Sequence, residues 1–74
     1  MSRPLYQIAD DIKRSKVPVP YSAVPYVEAL GSLVEITDTY IAESGRSIVA
    51  YLISNLRDWR GEDARRIKAE LRAL

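Results

Sequence analysis

The sequence predicts an all-α fold, a compact four-helix small domain over residues 1–74 with the third helix most buried. Three observations predict it. Apolar residues recur at three- and four-residue spacing in four separate stretches. Each stretch follows a Ser or Asp suited to a helix start, and Pro falls in the first turn of two of them. The one β-branched run, at residues 48–53, has no second strand candidate to pair with.

The first helix is expected over residues 2–16. Ser2 caps it, Pro4 sits in its first turn, and Leu5, Ile8, Ala9 and Ile12 form one apolar stripe. Lys13, Arg14 and Lys16 lie near its carboxyl end, where cations complement the helix dipole. Val17-Pro18-Val19-Pro20-Tyr21 follows. Prolines at alternate positions enforce an extended connector. Its Val and Tyr content implies that it packs on the domain.

Ser22 is the expected cap of the second helix, with Pro25 in the first turn. Val27, Leu30, Leu33 and Val34 are its inward stripe, flanked by Tyr26 and Tyr40, while Glu28, Ser32 and Glu35 face out. Gly31 falls inside this pattern at a cost of about 1 kcal/mol relative to Ala, and suggests close approach by a neighbour. Thr37-Asp38-Thr39-Tyr40 either extends this helix or begins the next turn.

Ser44 caps the third helix, which runs to about Leu56. Ile48, Val49, Leu52, Ile53 and Leu56 cover a broad arc, and an arc that broad belongs to the most buried helix of a bundle. Asp58 then caps a fourth helix from Trp59 to the end, with Ala64, Ile67, Leu71 and Leu74 inward. Glu62 and Asp63 suit its first turn and Arg72 its last. Glu62–Arg66 and Arg66–Glu70 are spaced as ion pairs. Ile48, Leu52, Leu56, Ile67 and Leu71 are expected to meet as one dry seam between the last two helices.

Composition narrows the function classes. The chain has neither Cys nor His, so disulfides, thiolate sites and the commonest general base near neutral pH are excluded. No acidic cluster has calcium-loop spacing. The serines have no adjacent base. Lys13, Lys16 and Lys68 sit in charged, solvated surroundings that leave no activated Ser-Lys pair. No enzyme, cofactor or metal is therefore expected. Asp10-Asp11 and Glu62-Asp63 diverge by about 100° on a helix and are read as solvated surface. No apolar run approaches the roughly 18 residues of a membrane span, and Asp10 and Asp11 interrupt the only window for a signal-peptide core. A cytoplasmic protein is the expectation.

Net charge is +1. Residues 31–56 carry a net −2 and residues 57–74 a net +2. On the fourth helix Arg65, Lys68 and Arg72 share a face at i, i+3, i+7 and could follow a phosphate backbone, although the near-neutral total favours an ordinary solvated face. No helix-turn-helix signature is present, because the junction at Arg57-Asp58 lacks a turn glycine. Glu43-Ser44-Gly45-Arg46-Ser47 precedes a helix and could hold an anion on its amides, but a Ser-capped helix explains it better. Arg60 projects into the apolar arc of the fourth helix, which calls for a structural ion pair with an acid in residues 35–43. Tyr6, Tyr21 and Tyr51 project away from the apolar stripes and form the candidate partner-binding surface, since exposed tyrosine is enriched at interfaces.

The carboxyl half carries Ser44-Gly45-Arg46-Ser47-Ile48-Val49, Tyr51, Trp59-Arg60-Gly61-Glu62, Ala64-Arg65 and Ile67-Lys68-Ala69-Glu70-Leu71. With Pro4-Leu5-Tyr6, Ile8-Ala9, Ala23-Val24-Pro25-Tyr26 and Glu28-Ala29, it resembles short uncharacterised proteins encoded in bacteriophages and prophages. Such chains more often carry Gly after the equivalent of Tyr40, where this one has Ile41. The resemblance implies a small accessory protein that binds a host or phage protein, for instance as inhibitor of a defence or replication factor. The alternatives are a nucleic-acid-binding module using the basic stripe and a self-associating structural protein, with a homodimer completing a thin core.

Overall fold

A computed structural model describes residues 3–74. The expected cap at Ser2 lies outside the described residues. Four helices form, α1 (Leu5–Arg14), α2 (Val24–Leu30), α3 (Gly45–Asn55) and α4 (Glu62–Arg72), and a short 3-10 turn (Tyr21–Ala23) leads into α2. Two short strands, β1 (Thr39–Tyr40) and β2 (Glu43–Ser44), pair antiparallel ahead of α3, with Thr39 opposite Ser44 and Tyr40 opposite Glu43. The fold is mostly helical, with this hairpin added.

The apolar stripes are buried as expected. Leu5, Ile8, Ala9 and Ile12 of α1 meet Val27, Ala29 and Leu30 of α2 in one core. Ile48, Leu52, Leu56, Ile67 and Leu71 are all buried, and α3 packs on α4. Each helix packs on the next, and α4 closes back on α1. The expectation that α3 is most buried is corrected by this ring. α3 buries four of its eleven residues and α1 four of its ten, so no helix is central.

Several boundaries also move. α1 is shorter than expected, starting after Pro4 and ending before Ser15. Its Leu5 and Tyr6 amides, which no helix can satisfy internally, donate to the Val34 and Leu33 carbonyls at 2.9 Å each. Ser22 does not cap α2; it lies within the 3-10 turn, and Pro25 takes the early position expected of it. α2 ends at Gly31, so Val34 leaves the inward stripe and is 51% exposed, while Leu33 stays buried.

The region after α2 turns on Asp38. Its carboxylate accepts from the Val34 and Glu35 amides at 3.0 Å each, and these bonds hold its pKa below the usual carboxylate range. At the hairpin tip Ile41 has φ 59°, a conformation costly for a β-branched residue. It is where the chain reverses between β1 and β2. Gly45 then enters α3 against the carbonyls of Glu35 and Ile36, each 2.9 Å from where a Cβ would sit. Ser44 caps α3 as expected, accepting from the Ser47 amide at 3.1 Å.

Asp58 caps nothing. α4 begins at Glu62 behind Gly61, whose φ of 115° suits glycine. Trp59 lies in the loop before it, 1% exposed, and its indole N–H donates to the Val17 carbonyl at 2.7 Å. The Pro-rich connector is thereby pinned to the domain, and Val19 packs on the core.

Candidate functional site: a cationic concavity beside α4

The connection between α3 and α4 covers residues 56–61. Leu56 and Trp59 are its buried anchors, and the Trp59 amide donates to the Leu56 carbonyl at 3.0 Å. With those two side chains inward, Arg57 and Arg60 are turned outward. Arg60 is exposed and makes no ion pair among the described residues, so the expected pair with an acid of residues 35–43 is corrected. The projection that placed it in an apolar arc began α4 three residues too early.

Arg57 and Arg60 meet the basic stripe of α4 instead. Together with Arg65, Lys68 and Arg72 they line an open concavity of about 390 Å³, whose remaining lining is Trp59, Gly61 and Ala64. No carboxylate is among these residues. The sequence supplies the stripe but not the two loop arginines, because it places Arg57 at a helix junction and Arg60 on the inward side of α4. Gly61 ahead of Glu62-Asp63 was the available signal for the later helix start.

Lys68 is the least solvated of the five. Its ammonium donates to the Trp59 carbonyl at 2.5 Å. Burial lowers its pKa, and the positive charges of Arg72 and Arg60 lower it further, with Asp58 acting in opposition. The cations thus repel one another across the concavity, and an anion placed there would relieve that repulsion.

Two of the acids of α4, Asp63 and Glu70, are engaged on its other side. Arg3 donates to both oxygens of Glu70, from Nε at 2.9 Å and from Nη2 at 2.7 Å, and also reaches Asp11 at 3.0 Å. Arg66 bonds Asp11 at 2.9 Å and Asp63 at 3.3 Å. Asp11 is therefore a bridge between α1 and α4, which corrects its reading as solvated surface. Its carboxyl is held below its usual pKa, first by the Arg66 hydrogen bond and then, against a desolvation cost, by Arg3. Arg66 takes Asp63 and Asp11 as partners in place of the expected Glu62 and Glu70. Charge is segregated across α4: ion-paired on the α1 side, and on the other a concavity lined by five cations, with Asp58 nearby.

The amides ahead of α3 do not make an anion site. Gly45 donates to the Asp38 carbonyl at 2.6 Å, Arg46 to the Ile36 carbonyl at 2.9 Å, and Ser47 to the Ser44 hydroxyl. All three donors are engaged.

The tyrosines are accessible but separate from the concavity. Tyr21 is 92% exposed, while Tyr6 and Tyr51 are 42% and 47% exposed. They stand on α1, the 3-10 turn and α3, and Tyr51 leans on Tyr26 with ring centroids 5.7 Å apart.

Among the described residues no group of three His, Cys, Asp or Glu side chains could hold a metal. No helix among them is long and apolar enough to cross a membrane. Comparison with protein-family models, curated proteins and solved structures returns no match.

Proposed function

We propose that this protein is a nucleic-acid-binding helical module that grips the phosphate backbone through Arg57, Arg60, Arg65, Lys68 and Arg72. The observation that supports it is the convergence of five cations on one concavity with no carboxylate in its lining. Residues 65–72 span about 10 Å along the helix axis, longer than a single phosphate group. The stripe therefore suits successive phosphates of a polymer. The Trp59 ring is buried, so it offers no face on which a base could stack. Recognition on these terms reads backbone charge and carries little sequence preference.

Fluorescence anisotropy of a labelled duplex of arbitrary sequence, titrated across a salt series, tests the reading. Affinity is expected to fall linearly on logarithmic axes, with a slope of about −0.9 per phosphate neutralised. Arg57→Ala and Arg60→Ala should each reduce that slope by about 1, whereas Arg14→Ala, on α1, leaves it unchanged. Absence of binding at low salt rejects the proposal.

A second reading rests on Tyr21. A ring this exposed supplies apolar area with a polar tip, the kind of residue that anchors protein interfaces. In this reading the chain is a phage-type accessory protein that docks on a host or phage protein through Tyr21, with Tyr6 and Tyr51 as flanking contacts, and acts as an inhibitor. Tyr21→Ala should then weaken capture of a specific partner without altering duplex binding.

A further inference from the structure

Ile41 departs from two rules at once. It is a β-branched residue at φ 59°, and it is 90% exposed at the tip of the β1–β2 hairpin. Strain of this kind costs about 1–3 kcal/mol, and such residues cluster at functional positions. Within its own chain the side chain gains almost no burial in return, since nine-tenths of it is exposed.

An apolar groove opens nearby. Ile36, Val49, Ala50 and Ile53 line it, together with Arg46 and Arg72. It holds about 260 Å³. Ile36 lies next to the hairpin, and α3 begins directly after β2, so tip and groove belong to one side of the molecule. Ile41 does not line the groove of its own chain, which leaves the groove open to the tip of another copy.

The charges match. Glu43, two residues past Ile41, is exposed and makes no ion pair among the described residues, and neither do Arg46 and Arg72. The hairpin is an apolar knob beside a carboxylate, and the groove sets apolar side chains beside two guanidinium groups.

We infer that a second copy of this chain occupies the groove. In this two-fold dimer Ile41 of each copy is seated on Ile36, Val49, Ala50 and Ile53 of the other, and Glu43 pairs with Arg46. A two-fold axis makes the exchange reciprocal, so each contact occurs twice. Apolar burial then accounts for an isoleucine where the backbone favours glycine. Arg72 borders both this groove and the cationic concavity, so Ile41→Gly, which leaves Arg72 untouched, is the variant that separates dimerisation from nucleic-acid binding.

Sedimentation equilibrium of the full chain over a concentration series tests it. The unaltered protein is expected to show a reversible monomer–dimer equilibrium. Ile41→Gly relieves strain and so folds at least as well. Losing one buried isoleucine weakens association at least tenfold, and two per dimer compound to about a hundredfold. Ala50→Asp, at an exposed position of α3, should give the same loss, with an unchanged thermal transition at concentrations where both proteins are monomeric. Glu43→Lys should weaken the dimer, and adding Arg46→Glu should restore it. A monomer at every concentration overturns the inference, as does a dimer indifferent to Ile41→Gly.

Discussion

The indole N–H of Trp59 donates to the carbonyl oxygen of Val17, 42 positions earlier in the chain, at 2.7 Å. This bond joins the loop that presents Arg57 and Arg60 to the connector between α1 and α2. Trp59→Phe keeps most of the buried ring and leaves the Val17 carbonyl without this donor. It should cost about 1–2 kcal/mol in urea unfolding. Trp59→Ala should cost about 3–5 kcal/mol. It should also weaken duplex binding under conditions where the protein remains folded, because the loop loses its anchor.

Gly45→Ala should destabilise the protein by about 1–3 kcal/mol. The added methyl would meet the Glu35 and Ile36 carbonyls, each 2.9 Å from its position. Both are backbone atoms in a turn already bonded to α3, so neither yields as a flexible side chain would. Chemical denaturation of the variant measures the loss. A neutral result would show that the turn at residues 35–36 moves freely.

The Asp11 bridge gives the fold an acid limit. Asp11 has a folded-state pKa below its unfolded value, so it binds fewer protons in the native state. Its contribution is full above the unfolded value, about 3.9, and is lost as pH falls through the depressed one. Asp11→Asn should remove up to about 1 kcal/mol at neutral pH, a modest figure because solvent and salt screen this partly exposed cluster. Thermal melts between about pH 2 and 7 should show the unaltered protein and the variant converging at the acid end.

Ile41→Gly should stabilise the monomer by about 0.5–1 kcal/mol. Relief of the left-handed conformation, about 1–2 kcal/mol, outweighs the added freedom of glycine in the unfolded chain. Unfolding at concentrations low enough to keep the protein monomeric gives the value. Ile41→Val, equally branched, should give no such gain.

Helical periodicity made the core legible: Leu5, Ile8, Ile12, Leu52, Ile67 and Leu71 were assigned inward from spacing alone, and all are buried. Ser44 was legible as a cap because a hydroxyl ahead of an apolar repeat has one good use. The same rule misassigned Ser22 and Asp58. In both places a buried side chain, Ala23 or Trp59, dictates the local path instead, and burial of that kind has no local sequence signature. The hairpin leaves no mark in the sequence because each strand is two residues long, too short to show alternation. Three of the five cations of the concavity are readable as a stripe on α4. Arg57 and Arg60 join it only because Trp59 turns inward between them. Arg3 and Asp11 gave no signal, since their partners lie up to 67 positions away.

The first turn of α1 borrows its acceptors from residues 33 and 34. In most helices the opening amides face water and exchange their hydrogens within moments. Here the Leu5 and Tyr6 amides should resist deuterium for as long as the helix stays docked. Their exchange would therefore time the undocking of α1 from the rest of the protein, separately from fraying of the helix itself.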